Sequence, residues 1–179
     1  VTAFESDVKD ASGSLDVDGQ YLPDFEDVQV DLLGKSYKIV YARRLNSSSL
    51  RLDLIRDATE DTLLEKQTKT YSIEGKNYDA TLNFLDNDEA QFTVNEITTR
   101  KLKEGEYEKL ANGIIIQTKK ISYQDYAGGI HSATFYIGTQ KIELRDTNVT
   151  DYSSSNALKV NDNTIDDATV IIEGSDDNS

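Results

Sequence analysis

Apolar and polar side chains alternate at every second position along most of the chain, and this period constrains the fold more than any other feature. In the segment 78–84 the apolar residues are Tyr78, Ala80, Leu82 and Phe84, and the polar residues between them are Asp79, Thr81 and Asn83. Successive side chains of a strand point to opposite faces of a sheet, so this period is typical of half-buried strands. Similar runs lie at 28–32, 37–42, 50–54, 113–124, 131–138, 140–146 and 168–174.

Turn-forming residues separate these runs, and the chain contains a single proline, Pro23. Short strands divided by frequent turn signals are typical of all-β domains. The sequence therefore predicts an all-β fold, an antiparallel β-sandwich or a barrel-like domain, with at most one short helix. The segment 57–68 is where a helical turn is expected, because Asp57 and Glu60 have the spacing of a capping box.

Composition divides the chain into three predicted parts. Residues 1–24 are small, acidic and turn-forming, and they predict an extended N-terminal segment with one short strand near 15–17. Residues 25–146 carry the alternation and are the predicted main β domain. Residues 147–179 are rich in Asn, Asp, Ser and Thr, and they predict a polar loop, a final strand at 170–173 and a C-terminal linker.

The tripeptide Gly34-Lys35-Ser36 matches the end of a phosphate-binding P-loop, but the rest of that motif is missing. The first glycine of the motif would fall at Gln29, and the residues after Ser36 alternate as a strand does instead of beginning a helix. We therefore interpret 33–36 as a tight turn between two strands. Gly75-Lys76 repeats the same pattern. This indicates that two hairpins use the same turn chemistry, more than it indicates an internal duplication.

The charge and the residue inventory exclude several functions. The net charge of −14 and the pI near 4.4 argue against binding to nucleic acids or to anionic membranes, which require basic surfaces. The chain has no cysteine and one histidine, His131, so thiolate and multi-histidine metal sites are excluded. The longest apolar run, 114–116, is too short for membrane insertion. No catalytic motif is recognisable, and we expect that the protein is not an enzyme.

Calcium is the metal best matched to this acidic chain. Asp16 and Asp18 resemble the start of a calcium loop, and Asp86 and Asp88 form a second acidic turn. The full EF-hand pattern fails, because position 27 is aspartate where the loop requires glutamate. The alternative is that these carboxylates form hydrogen bonds within their own turns, which is the commoner role of such residues.

Two glycosylation sequons, at Asn46 and Asn148, fall in predicted loops. Together with the acidity and the absence of methionine, they favour an extracellular protein on a cell surface.

Three segments of the sequence resemble a known family. They are LLGKSYKIVYA, KTYSIEGKNYDATLNFLDNDEAQFTVNEITTRKLKEGEYEKLANG and GGIHSATFYIGTQKIELRD. This pattern, over about residues 30–146, resembles archaeal surface-layer (S-layer) proteins of the kind found in methanogens and small-genome archaea. The resemblance implies a β-rich extracellular module that tiles into a two-dimensional lattice, often N-glycosylated and in some cases dependent on divalent cations. It implies no catalytic residues.

The leading hypothesis is therefore a structural module that assembles with copies of itself through edge-to-edge contacts between β domains. A filament subunit is a related alternative. A carbohydrate-binding or adhesin module is a second one, and it would require a tyrosine-lined groove built from Tyr123, Tyr126 and Tyr136. A third, an acidic hydrolase, would require two carboxylates that converge in a deep pocket.

Overall fold

The computed structural model describes residues 22, 25–46, 49–126, 129–147 and 157–172. Within these ranges the chain forms strands and turns and no α-helix, which confirms the predicted all-β class. The strands are β1 (Gln29–Leu32), β2 (Lys35–Asn46), β3 (Ser49–Arg56), β4 (Thr59–Leu64), β5 (Thr68–Ile73), β6 (Lys76–Leu85), β7 (Ala90–Val94), β8 (Ile97–Thr98), β9 (Tyr107–Lys109), β10 (Ile115–Tyr123), β11 (His131–Gly138), β12 (Lys141–Asp146), β13 (Leu158–Val160) and β14 (Asn163–Thr164). In these described ranges no helix is long and apolar enough to cross a membrane.

The contacts divide the chain into two compact units. One unit contains residues 1–54 and 141–179, and the other contains residues 55–140. The second unit is inserted between β3 and β12, which are neighbours in one sheet. The prediction of one main domain over 25–146 did not anticipate this division, because alternation is a local signal and does not reveal which distant strands pair.

The unit formed by residues 55–140 is an antiparallel β-sandwich. Sheet II has the strand order β4-β11-β10-β9, and sheet III has the order β5-β6-β7-β8. Their facing sides share a core in which the ring centroids of Phe92 on β7 and Phe135 on β11 lie 4.8 Å apart. Tyr71 on β5 makes an edge-to-face contact with Phe135. The alternation noted on β6 places Ala80 and Leu82 in this core.

The unit formed by residues 1–54 and 141–179 contains sheet I, with the order β1-β2-β3-β12-β13-β14. Its hydrophobic core lies along the alternating positions of β3, where Leu50, Leu52 and Leu54 are buried. Leu22 belongs to the same core, and its backbone N–H donates to the carbonyl oxygen of Ala42 at 3.1 Å. Leu22, within the predicted N-terminal segment, is thus held against sheet I.

Two-residue hairpin turns connect several neighbouring strands, and four of them in the described ranges have left-handed backbone angles at both residues. Leu33 and Gly34, with φ of 52° and 72°, join β1 to β2, and Glu74 and Gly75, with φ of 51° and 75°, join β5 to β6. The same geometry occurs at Asn95-Glu96 and at Asn161-Asp162. This is the type I′ turn, whose twist matches that of the flanking strands. The turn predicted at 33–36 is confirmed, and the hairpin at Gly75 has the same turn geometry, as predicted.

Two local predictions were wrong. The helical turn expected at 57–68 is the strand β4: Asp57 has φ of 51°, so it lies in a turn, and Leu63 alternates into the sandwich core. The final strand expected at 170–173 is absent from the described residues 168–172. There Ile172 is anchored through its N–H, which donates to the carboxylate of Asp146 at 3.0 Å. The sheet is extended instead by β13 and β14, within the predicted polar loop. The predicted strand near 15–17 lies outside the described residues.

Candidate functional site

In the acidic turn between β6 and β7, the carboxylate of Asp86 is hydrogen-bonded to backbone groups of the same turn. Oδ1 of Asp86 accepts hydrogen bonds from the backbone N–H groups of Asp88, at 3.0 Å, and Glu89, at 2.7 Å. These amide contacts hold the pKa of Asp86 below its ordinary value. Asp86 therefore acts as a turn residue, the alternative considered for the calcium prediction.

Within the described ranges no three His, Cys, Asp or Glu side chains are grouped to hold a metal ion. Asp16 and Asp18, the other two calcium candidates, lie outside the described residues. Asn46 of the first sequon is the last residue of β2, and Asn148 of the second lies outside the described residues. Calcium binding and glycosylation stay predictions.

His131 is held by structural contacts on both ring nitrogens. Nδ1 lies 3.3 Å from Oε2 of Glu65, and Nε2 lies 3.1 Å from the carbonyl oxygen of Gln124. The imidazole also stacks on Tyr123, with centroids 4.4 Å apart. These contacts fix the start of β11 against the end of β10 and describe a positioned strand-end residue.

The three tyrosines considered for an adhesin groove do not line one open surface. Tyr136 is fully buried, with Nζ of Lys119 lying 5.2 Å from its ring centroid. Tyr123 is partly buried against the sandwich core, and Tyr126 is exposed in the loop that follows β10. The packing role of Tyr136 and Tyr123 follows from their places on strands of sheet II.

β4 is one of the two outer strands of sheet II, and its free edge is closed by side chains. The pairing of β4 with β11 leaves the backbone groups of Thr62 and Leu64 pointing away from the sheet. The Thr62 N–H donates to Asp61 Oδ1 at 2.7 Å, and the Thr62 carbonyl accepts from Nζ of Lys69 at 3.2 Å. The Leu64 N–H donates to the side chain of Gln67 at 2.9 Å. Occupied edge groups of this kind oppose the addition of a further strand.

β5 is one of the two outer strands of sheet III, and its free edge is open. In the β5–β6 hairpin the pair Ile73–Lys76 flanks the two-residue turn, and inward and outward backbone groups alternate along β5 from that pair. The backbone groups of Thr68, Thr70 and Ser72 therefore point away from β6. All three residues are exposed. Among the described residues, none of their outward backbone groups has a hydrogen-bond partner. β5 also lacks a bulge and a proline, so it offers a regular template for another strand.

Threonines form a row across the outer face of sheet III. The partner pairs Thr68–Thr81, Thr81–Thr93 and Thr93–Thr98 place one threonine on each of β5, β6, β7 and β8. The hydroxyl oxygens of the first and last pairs are 2.7 Å and 2.8 Å apart. Beside the row lies a shallow open depression with polar walls, lined by Asp79, Thr81, Thr93, Asn95 and Glu96.

Exposed apolar side chains gather where β4 ends and β11 begins. Leu64 is 53% exposed and Ile130 is 58% exposed. They line a second shallow depression together with Glu65, Gly129 and His131. We call this surface the Leu64–Ile130 depression. Its apolar walls and its single carboxylate, from Glu65, differ from the polar depression on sheet III.

A buried charge cluster lies between β3, β12 and β13 of sheet I. Asp53 accepts two hydrogen bonds from Arg51, at 2.7 and 2.8 Å, and lies 2.9 Å from Nζ of Lys141. Glu143 lies 3.2 Å from Arg51 and 3.1 Å from Lys159. Lys141 and Asp53 are each 2% exposed. Burial acts to lower the pKa of Arg51, but the contacts with Asp53 outweigh it and the pKa is raised. The paired cluster has the features of a structural network.

Asp61 joins the two sheets of the sandwich, because its carboxylate accepts hydrogen bonds from Lys69 and from the hydroxyl of Tyr71 on β5. Partial burial acts to raise the pKa of Asp61, but the hydrogen bonds that it accepts, from Lys69 first, outweigh the burial and the pKa is lowered. The pKa of Tyr71 is raised by burial and by its hydrogen bond to this carboxylate.

We expect Asp61→Asn to remove a pH-dependent part of the stability of the sandwich. The unfolded-state pKa is about 4, so the carboxylate stabilises the fold fully above about pH 4 and loses this effect as the pH falls through the lower folded-state value. The variant should be less stable than the wild type at pH 7, and the difference should shrink at pH 3. Urea denaturation at both pH values measures it. An equal difference at both would contradict the prediction.

Sequence reasoning missed the contrast between the two sheet edges and the buried charge cluster. A signal for the cluster was present, because Arg51 and Asp53 occupy alternate positions opposite the leucines of β3. Their burial depends on strand pairing across distant parts of the chain, which the pattern does not reveal. Comparisons of the chain with protein-family models, with curated proteins and with solved structures give no significant match.

Proposed function

We propose that this chain is a non-enzymatic, extracellular structural module that assembles with copies of itself at a cell surface, as an S-layer-like lattice or a related filament. The single observation that carries the proposal is the open edge of β5. It supplies a regular row of unpaired backbone donors and acceptors, while the neighbouring edge along β4 is occupied by side chains. Self-association along β5 is therefore favoured over association along β4.

The mechanism is strand addition. When β5 of one copy lies antiparallel to β5 of a second, the outward groups of Thr68, Thr70 and Ser72 find partners in the other chain, and two copies of sheet III become one continuous sheet. Because the same strand is used on both sides, this contact has twofold symmetry and closes as a dimer, so the dimer is the building block and a lattice or filament needs contacts on other surfaces as well. Main-chain hydrogen bonds supply its affinity. The high net negative charge opposes the contact, so added salt should strengthen it.

Ser72→Pro tests this edge. The proline removes the outward N–H and places a ring where the second strand would lie, but it leaves the hydrogen bonds of β5 to β6 intact. We expect the variant to fold, with a far-ultraviolet circular dichroism spectrum like that of the wild type. We expect self-association, measured by sedimentation velocity over a range of protein concentrations, to weaken at least tenfold.

The matched control is Ser72→Ala, which removes the hydroxyl but keeps the N–H, and should associate like the wild type. Electron microscopy of the wild-type protein tests the function itself, since ordered sheets or filaments are expected. A wild-type protein that stays monomeric at high concentration, with and without calcium, would refute the proposed function.

A carbohydrate-binding or adhesin module is a second candidate, and the threonine row favours it. Four threonine hydroxyls in register, with Thr68 and Thr98 exposed and Thr81 and Thr93 half-buried, lie next to Asp79 and Asn95 and offer donors and acceptors of the kind that sugars engage. The face lacks a tryptophan platform, because the chain contains none. Selective binding of a glycan by the monomer, lost in Thr81→Val, would favour this candidate.

A further inference from the structure

A second open edge runs along β1, which is an outer strand of sheet I. The pair Leu32–Lys35 flanks the two-residue turn of the β1–β2 hairpin, and inward and outward backbone groups alternate along β1 from that pair. The backbone groups of Gln29 and Asp31 therefore point away from β2, and both residues are exposed. Among the described residues, none of these outward groups has a hydrogen-bond partner.

The remaining outer strands offer less to a further strand. β8 and β14 are two residues long, and on each of them one residue points outward, Thr98 and Thr164 respectively. Along β9 the guanidinium of Arg100 lies 3.5 Å from the carbonyl oxygen of Tyr107, and the Arg100 N–H donates to the carboxylate of Glu108 at 2.6 Å. Side chains occupy the edge of β4. Among the described strands, β1 and β5 are thus the ones that present two or more outward residues without backbone partners.

β1 is complementary to a second copy of itself in one antiparallel register. When Gln29 of one copy lies opposite Asp31 of the other, both outward residues of each strand are paired. The side-chain amide of Gln29 then lies beside the Asp31 carboxylate, to which it can donate. A shift of two residues either way leaves one pair, Gln29 with Gln29 or Asp31 with Asp31, and the latter places like charges directly opposite. The register that pairs every outward group is thus also the one without charge repulsion, which favours a second copy as the occupant.

We propose that the β1 strands of two copies pair antiparallel in this register and form a second twofold contact. This inference rests on the proposed self-assembly and supplies a contact that strand addition along β5 lacks. Each contact uses the same strand on both sides, so each joins two copies only. A copy that makes both contacts binds two neighbours, which carries assembly beyond the dimer. The β1 contact is the weaker one, because β1 has two outward residues and β5 has three.

Gln29→Pro tests the β1 contact. Proline removes an outward N–H and places its ring where the second strand would lie, but the hydrogen bonds of β1 to β2 come from the neighbouring residues and stay. The change acts twice across the twofold axis, so the concentration needed for assembly beyond the dimer should rise by about tenfold or more. Sedimentation velocity should show the β5 dimer as the largest species. The matched control is Gln29→Ala, which keeps the N–H and should still assemble beyond the dimer.

Ser72→Pro isolates the β1 contact by removing the β5 contact. This variant should form dimers at high concentration and nothing larger, and the double variant Ser72→Pro/Gln29→Pro should be monomeric. Hydrogen exchange reports the edge directly. The Asp31 amide should exchange rapidly in dilute, monomeric Ser72→Pro and slowly at concentrations where the variant is dimeric.

Single cysteines report the register, because the chain has no cysteine of its own. In the Ser72→Pro background, a mixture of the Gln29→Cys and Asp31→Cys variants should form a disulfide on mild oxidation, since opposite residues of this register have Cα atoms about 5.5 Å apart. Neither variant should cross-link by itself. Its two cysteines would lie diagonally, about 7–8 Å apart, which is too far for a disulfide.

The outcomes distinguish this inference from the proposed function. If the wild type assembles and Gln29→Pro assembles equally well, the β1 contact is wrong and the proposed function stands. The same holds if the Asp31 amide is already protected in the dilute monomer, because another part of the same chain then covers β1. Cross-linking of either cysteine variant by itself would overturn the register. A wild-type protein that never assembles would refute both proposals.

Discussion

Asp53→Ala is expected to lower the free energy of unfolding by about 3–5 kcal/mol, the usual cost of breaking a buried ion pair from one side. Asp53 is 2% exposed and is the shared partner of Arg51 and Lys141. Its removal leaves the buried Lys141 ammonium 3.7 Å from the carboxylate of Glu143, a distance too long for a hydrogen bond. The desolvated ammonium loses the contact that compensates for its burial.

The contrasting variant is Lys141→Met, which should cost much less, about 1 kcal/mol or less. Methionine fills a similar volume without a charge, and each carboxylate of the cluster keeps a cation, since Arg51 remains on Asp53 and Lys159 on Glu143. Urea denaturation followed by circular dichroism measures both variants. Equal losses from Asp53→Ala and Lys141→Met would show that the cluster acts through packing instead of charge pairing.

The strands were predictable wherever local alternation decides the structure. The runs at 113–124 and 131–138 became β10 and β11, and the turn at 86–89 joins β6 to β7 as expected. The two-residue hairpins were predictable for the same reason, because turn chemistry is encoded in adjacent residues. These predictions needed no knowledge of distant contacts.

Features that depend on distant partners were not predictable. The adjacency of β3 and β12 joins residues about 90 positions apart, and it makes one unit discontinuous in sequence. Alternation correctly placed Arg51 and Asp53 opposite the leucines of β3, but it implied exposure for a carboxylate that is 2% exposed. Period-two patterns report which face a residue takes, and they do not report what covers that face.

The sequence predicted the candidate contact surfaces only in part. Edge-to-edge contact was a prediction, but the choice of edge depends on whether side chains occupy the outward backbone groups. On β4 this occupation comes from Asp61 on the strand itself, from Gln67 in the turn that follows it and from Lys69 on β5. Leu33 was visible as a leucine in a predicted turn. The structure leaves its side chain 103% exposed at the tip of the β1–β2 hairpin.

Phe135→Ala is expected to destabilise the sandwich unit by about 3–5 kcal/mol, through loss of burial and creation of a cavity. Phe135 is fully buried on β11 in sheet II and contacts two rings of sheet III, Phe92 and Tyr71. Each aromatic contact adds about 0.5–1.5 kcal/mol beyond the buried area. The substitution therefore removes packing shared by both sheets, and the near-ultraviolet circular dichroism of tyrosine should weaken as Tyr71 loses its neighbour.

The matched control is Phe84→Ala on β6, because the same atoms are deleted from a different setting. Phe84 is only partly buried and has Nζ of Lys101 lying 3.8 Å from its ring centroid, so its loss should cost about 1 kcal/mol. Phe135→Leu should recover most of the lost stability, since it refills the volume between the sheets. Urea denaturation orders the three variants. If Phe84→Ala were as destabilising as Phe135→Ala, the contacts between sheets II and III would not be the main source of stability in this unit.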